Sequence, residues 1–290
     1  MPASGRWPAL EQLLAAHHAG PPRTRSLIIT VYGDAISPRG GETAIPALLT
    51  LMRRLGLTDG VVRTALSRLT ADGWLDRIRT GRMSFYRLAA RGLQEISTAT
   101  PRIYGPLSKP WNGKLRIVLA DAGTDRIQLD HAGYALVAPS VLIAPDYAAT
   151  PSDALCLLAG GKPEAVRAVA GRVWPLSTLA TAYSAFVEQF APMLREATCV
   201  APLDAMAARV LLIHQYRRII LRDPHLPAAL LPSPWSGDAA RRLSRNLYSI
   251  LAPASEQWLD TLENASGPLP RGPDPLSRFS DGDRQPAAPA

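Results

Sequence analysis

The chain has 290 residues, enough for two or three packed units at roughly 100–200 residues each, and 47% apolar against 19% charged residues favours buried cores over extended disorder. Its net charge of +8 is carried almost wholly by arginine, since lysine occurs only at 109, 114 and 162; arginine suits bidentate contact with phosphate and guanine, so a nucleic-acid partner and simple coding bias are the two readings that composition offers. Two cysteines, Cys156 and Cys199, exclude a disulfide framework and a four-ligand zinc site. The longest apolar stretch, Ala135 to Pro145, is about half a membrane span, and Glu11 with His17-His18 break what a secretory leader keeps apolar, so a soluble, cytoplasmic protein without membrane contact is expected.

Residues 1–22 are electrically neutral and hold a short helix, Leu10 to Ala16, ended by Gly20-Pro21-Pro22, which reads as an arm or cap. Residues 23–100 carry 12 arginines against 6 acids, so most of the excess charge falls in this one module. A charge confined in this way suits a polyanion partner, with an ordinary solvated surface as the alternative. Within the module, Leu27 to Val31 is β-branched and reads locally as a strand. A helix over Ile45 to Leu55 is joined by the glycine-containing turn Gly56-Leu57-Thr58 to a second helix, the spacing of a helix-turn-helix. At 100° per residue the second helix places Val61, Val62, Ala65, Leu66 and Leu69 on one apolar stripe. Its opposite arc holds Arg63, Thr64, Ser67 and Ala71, with Arg68 flanking and no acid before Asp72. A helix entering a major groove about 12 Å wide needs such a small, hydroxylated, basic face.

After Gly73-Trp74-Leu75, residues Asp76 to Leu88 read as two short strands around Thr80-Gly81-Arg82, with Arg77, Arg79, Arg82 and Arg87 in or beside the turn. Such a wing would lie along the DNA backbone and supply salt-dependent affinity; edge-strand protection is the bland alternative for the same arginines. A proline-punctuated linker from Thr100-Pro101 to Lys109-Pro110 follows. Strands are then expected at Leu115–Ala120, Tyr134–Val137 and Val141–Ala144, with a very short helix in Asp125–His131 and a longer one over Pro163–Arg172. The order β-α-β-β-α suggests a small ferredoxin-like layer whose last strand has no obvious sequence. From Trp174 the pattern turns helical: Ser177–Phe190, Leu203–Leu221, Gly237–Leu251 and Glu256–Leu262; the proline- and glycine-rich tail from Asn264 is expected to be disordered.

The expected fold is therefore α+β and multidomain. An N-terminal arm (1–22) precedes a winged helix-turn-helix (23–100), a ferredoxin-like middle domain (111–174), a helical C-terminal domain (175–263), to which the family resemblance described below assigns dimerisation and effector binding, and the tail (264–290).

Two further sites carry chemistry. On the apolar helix Leu203–Leu221, the cations His214, Arg217 and Arg218 share an arc with buried residues, and unpaired buried charge costs several kcal/mol per ion. Pairing with Asp204, Asp223 or a neighbouring acid, an edge turned to solvent, or an anionic effector lying beside Trp174, Tyr183 or Phe186 would answer them. Asp121, at the end of the first middle-domain strand, sits where metal-dependent nucleases of ferredoxin-like type place a ligand; alone, it reads more simply as a strand cap. No other nucleophile–base pair, phosphate loop or metal-ligand cluster is evident, and neither a cofactor nor a catalytic residue is expected.

Several segments resemble the phenylacetate-degradation repressor (PaaX-like) family: Ser26-Leu-Ile-Ile-Thr-Val-Tyr-Gly-Asp-Ala-Ile36, Pro38-Arg-Gly-Gly-Glu42, Leu57-Thr-Asp-Gly-Val-Val-Arg-Thr-Ala-Leu-Ser-Arg-Leu69, Asp72-Gly-Trp-Leu75, Trp174-Pro-Leu176, Ala182-Tyr183 to Phe190, and Leu212 through the His-Gln-Tyr-Arg-Arg run to Pro227. The resemblance spans about residues 25 to 240. It implies a winged helix, a ferredoxin-like middle domain and a helical C-terminal domain in a dimeric repressor that binds operator DNA and is released by an aryl-acyl-CoA. It also makes Leu27–Val31 the first helix. Residues 121–134 are shorter than the family pattern and lack its arginine-rich helix. An activator would use the same DNA contacts as a repressor.

Overall fold

The structure, a computed structural model, describes residues 7–20, 23–106, 111–121, 123–151, 154–196 and 200–279. Helix α1 spans Pro8–His18 and buries Ala9, Leu10, Leu13 and Leu14, so the N-terminal arm is docked into the core rather than loose. Its last residue reaches the start of the 56–58 turn: His18 Nε2 donates to the Leu55 carbonyl at 2.8 Å. Gly56, at φ 79°, has no room for a side chain, because a Cβ there would lie 1.9 Å from that same ring nitrogen.

Helix α2 spans Thr24–Val31, continuing as a π-turn over Tyr32–Ile36. The β-branched run that reads as a strand is thus helical, because Leu27, Ile28 and Val31 are buried between later helices and that burial outweighs local propensity. Strand β1 (Glu42–Ala44) leads into α3 (Ile45–Arg54), and after the turn comes α4 (Asp59–Ala71). Strands β2 (Leu75–Thr80) and β3 (Met83–Leu88) form an antiparallel hairpin with Thr80 opposite Met83, and β1 adds to β3 in the order β1-β3-β2. Gly81 takes φ 59° at the two-residue turn, the geometry a tight hairpin asks of its glycine.

Helix α5 (Ala90–Tyr104) runs on through Pro101. The proline that was expected to begin a linker instead sits in the last turn, where its carbonyl still accepts from Gly105 N at 2.9 Å; the rest of that linker, 107–110, lies outside the described residues. The middle layer then follows: β4 (Lys114–Leu119), α6 (Arg126–His131), β5 (Ala135–Ala138), β6 (Val141–Pro145), β7 (Leu155–Gly160) and α7 (Pro163–Val173). All pairs are antiparallel, in the order β5-β6-β4-β7. The missing fourth strand is β7, whose uncharged run Leu155-Cys156-Leu157-Leu158 was its only sequence signal. It precedes the second helix, so the order is β-α-β-β-β-α.

Helices α8 (Leu176–Glu196), α9 (Pro202–Ile220) and α10 (Ser236–Leu259) complete the body. The two helices expected over 237–262 are one, continuous through Pro253. That proline's ring is exposed, while Leu251, Ala252, Ser255, Trp258 and Leu259 are buried on either side of it, which holds the helix together despite one missing hydrogen bond. The tail is ordered as far as described. Strands β8 (Glu263–Asn264) and β9 (Gly267–Pro268) pair, Leu269 and Phe279 are buried, and Phe279 packs edge-on against Tyr104 and Tyr248. Proline and glycine content suggested disorder; a few buried anchors suffice to fix the path, and 280–290 lie outside the described residues.

The core ignores the expected boundaries. Buried side chains from α1, α2–α4, β2, β3 and α8–α10 form a single cluster, with a smaller second one between the middle sheet and α6. A network of ions ties the N-terminal unit to the C-terminal helices. Arg209 on α9 donates to Asp34 Oδ2 (2.7 Å), Glu256 Oε1 (2.6 Å), Ser255 Oγ (3.1 Å) and Tyr248 Oη (2.7 Å), while Tyr104 Oη donates to Asp34 Oδ1 at 2.6 Å. Arg39 pairs with Glu256 and Asp260, and Arg278 from the tail pairs with Asp34 and donates to Gly33 O. Burial alone would push the Asp34 carboxyl up, but Arg209 and Arg278 beside it, with hydrogen bonds from Tyr104 and Arg209, hold it below the usual carboxylate range.

Candidate nucleic-acid interface

Helix α4 presents two faces. Val62, Ala65, Leu66 and Leu69 are buried, and Arg63, Thr64, Ser67, Arg68 and Ala71 are exposed, as their angular positions require. Val61 departs from the expected stripe: it is 45% exposed and belongs with the outer face near the helix start. Both acids at the ends of α4 are already engaged. Arg53 donates to Asp59 at 2.7 Å, holding its carboxyl below the usual range, and Arg25 pairs with Asp72. Arg63 and Arg68 have no hydrogen-bond or ion-pair partner among the described residues, so the exposed face carries two cations with every donor available.

The hairpin divides its arginines. Arg77 donates to Ser84 Oγ at 3.0 Å and Arg87 to Asp76 at 3.3 Å, so both are tied within the hairpin. Arg79 and Arg82, nearest the turn, are exposed and unpaired among the described residues. The hairpin is fixed to α4 through α5: Arg91 lies 5.8 Å from the Trp74 ring and donates to the Asp72 carbonyl at 3.0 Å. At Gly92 a Cβ would meet the Trp74 carbonyl at 2.3 Å.

Residues 23–92 match the family described as PaaX-like protein, and residues 174–261 match its C-terminal domain. The transcriptional repressor PaaX of Escherichia coli K12 is 36% identical over 282 residues, covering 88% of this chain and 89% of the relative. This chain belongs to the PaaX-like family. An uncharacterized protein of Mycobacterium tuberculosis, Rv0674, has a similar fold at 23% identity, with a TM-score of 0.56 over 81% of this chain and 98% of that one. Among the described residues no helix is long and apolar enough to cross a membrane.

The residues expected to meet an effector in this PaaX-like chain fall into two separate places. His214 and Arg217 face α1 and α2. The Thr30 hydroxyl donates to the Ser26 carbonyl (2.9 Å), so His214 Nδ1 must donate to Thr30 Oγ1 (3.2 Å), which leaves a buried Nε2 lone pair without a partner among the described residues. Burial and the neighbouring Arg217 press the His214 ring down to about 3, so it is neutral. Arg217 donates to Ser26 Oγ at 2.8 Å and Arg218 to Gln215 at 3.1 Å. Neither expected acid answers them: Asp204 pairs with Arg54, and Asp223 accepts from the Tyr183 hydroxyl at 2.8 Å and from His225 N at 2.7 Å. Trp174 and Tyr183 lie at this other place, around Asp223. Trp174 Nε1 donates to the Gly133 carbonyl at 3.3 Å and lines a cavity of about 600 Å³ between the middle layer and the helices. Phe186 is buried against Phe190 and Tyr216.

Asp121 is a turn cap. Its carboxylate accepts from Gly123 N at 2.9 Å and Thr124 Oγ1 at 3.0 Å, which lowers its pKa, and no group of three or more potential metal ligands occurs among the described residues.

Proposed function

We propose that this chain is a cytoplasmic DNA-binding transcriptional repressor of a phenylacetate-type catabolic operon. The observation that carries the reading is the outer face of α4, where Arg63 and Arg68 stand unpaired among the described residues while the acids at both helix ends are neutralised. Helix–strand–helix–helix–hairpin, with β1 closing on β3, is the order a winged helix uses. On this reading α4 enters the major groove with Arg63, Thr64, Ser67 and Arg68 at the base edges, and Val61 offers its methyl groups to a thymine. Arg79 and Arg82 grip phosphate, with Arg77 supporting the hairpin. Kinship to a named repressor favours repression over activation.

A dimer would place two recognition helices about 34 Å apart, or a multiple of that, on a palindrome. Strand β7 supports a two-fold partner: it is a sheet edge with Leu155, Leu157 and Leu158 at 62, 48 and 57% exposure and no charge to discourage pairing, and an antiparallel edge is self-complementary under a two-fold axis. A second copy is the occupant we assign to it. Sedimentation of Leu157→Lys at micromolar concentration then yields monomer; an unchanged dimer removes β7 from the interface. The function is tested by selecting duplexes from a random pool at fixed salt and titrating the enriched site. Absence of any enriched sequence, or full affinity in Arg63→Ala and Arg68→Ala, would sink it.

A further inference from the structure

Helix α1 lies outside both segments that match the family, yet it is anchored at each end. Near its start, Ala9 N donates to the carboxylate of Glu196, the last residue of α8, at 2.9 Å, and its inner face of Leu10, Leu13 and Leu14 belongs to the main core. Its last turn meets the end of α3. There the backbone closes in a glycine-terminated cap: Gly56 N donates to the Arg53 carbonyl and Leu57 N to the Met52 carbonyl, both at 2.9 Å. The Leu55 carbonyl takes no part in that pattern, and it is the one that accepts from His18 Nε2. The imidazole fills the notch over Gly56 that a Cβ would occupy.

Two adjacent arginines carry the contact onward. Glu11, seven residues before His18 and so on the same side of α1, accepts from Arg54 at 2.8 Å, and Arg54 also pairs with Asp204 of α9. Arg53 reaches the other way, across the turn, to Asp59, the first residue of α4. The end of α3 is thus gripped from behind by α1 and α9, and in front it sets where α4 begins. Arg63 and Thr64 follow Asp59 by little more than one helical turn. Contacts from such residues to base edges need donor–acceptor distances of about 2.9 Å, so a small tilt of α4 is enough to lose them.

We propose that α1 is a strap that sets the pose of the recognition helix, and that His18, through its hold on Leu55 and Gly56, is a positioning residue for DNA binding. What α4 does once posed rests on the repressor reading; the grip on the turn belongs to the free chain. His18 is exposed, so its replacement removes the contact without opening the core.

The test compares full-chain variants on the duplex that wild type selects, with urea unfolding alongside. His18→Leu keeps the bulk over Gly56 and has no donor. Its affinity for that duplex is expected to fall about fivefold, the worth of one hydrogen bond, with the unfolding midpoint unchanged. His18→Gln, whose amide can donate to the same carbonyl, is expected to bind as wild type does. Glu11→Ala/His18→Leu, which removes both ties from α1 to the end of α3 and leaves Arg54 its Asp204, is expected to lose about tenfold. In the free chain, hydrogen exchange at the Gly56 and Leu57 amides should quicken in His18→Leu and not in His18→Gln. Wild-type affinity in His18→Leu, an equal loss in His18→Gln, or exchange at Gly56 and Leu57 that ignores the donor would each overturn the strap. If wild-type chain selects no duplex, the repressor reading fails, and the exchange comparison alone decides whether α1 holds the turn.

Discussion

Arg209 and Arg63 are the same side chain put to opposite uses. Arg209 is buried and surrounded by acceptors, with Asp34, Glu256, Ser255 and Tyr248 meeting its donors and the Tyr248 ring 4.6 Å from its centre. Arg63 stands in solvent with no acceptor among the described residues. Counting arginines by segment finds the basic module, but only partner geometry separates cations spent on the fold from cations left over for a polyanion. By that criterion Arg63, Arg68, Arg79 and Arg82 are left over, while Arg39, Arg54, Arg209 and Arg278 are spent.

The comparison breaks first at Arg209. Arg209→Ala leaves Asp34 charged and buried, and should lower the unfolding free energy by about 3–5 kcal/mol in urea titration. Adding Asp34→Ala should cost less than the two single losses combined; strict additivity would mean the pair does not act as a clamp. At the other pole, Arg63→Ala or Arg68→Ala should weaken operator binding by about 1–3 kcal/mol if either is bidentate to guanine, and leave unfolding within about 0.5 kcal/mol of wild type. A destabilised Arg63→Ala would show a structural role that its exposure denies.

His214 sharpens the contrast, being a buried cationic residue kept neutral. Its folded pKa of about 3 lies below the unfolded value near 6.5, so between those limits the unfolded chain binds the extra proton and stability falls as pH falls. That single site contributes up to about 1.4 kcal/mol per pH unit, and His214→Gln should flatten the slope of stability between pH 6 and 4 by that amount. The smallest effect belongs to the hairpin: Arg79→Ala or Arg82→Ala should reduce the slope of log affinity against log salt by about 1, without changing which sequence is preferred.

What the sequence discloses follows interaction range. The exposed face of α4 was legible because 3.6-residue periodicity is local, and the hairpin because its glycine turn is local. Val61 was misplaced since it lies at the stripe's margin, where packing by neighbours decides exposure. Leu27–Val31 misleads because β-branching speaks for a strand, and only burial against α4 and α9 makes it helical. Strand β7 carries an uncharged run but no alternation. The Arg209–Asp34 pair spans 175 residues, and nothing near either residue announces the other. The expected effector residues lie in two places for the same reason: an arc on one helix gathers His214, Arg217 and Arg218, but the helix passes between two neighbourhoods, and Trp174 belongs to the other one with Arg102, Arg126 and Arg222.

The segment from Ala265 to Phe279 has a practical consequence. It crosses back over the first third of the chain: Ala265 N donates to Glu42 at 2.7 Å, Gly272 lies against the Pro38 carbonyl, and Arg278 neutralises Asp34. A ribosome must therefore synthesise the chain as far as residue 279 before the unit of α2, α3, α4 and the hairpin can acquire its last wall. An expression clone cut near residue 100 would leave Asp34 without Arg209 and Arg278 and bare the apolar backs of α2, α3 and α4, so it would report on an incomplete unit rather than an independent domain.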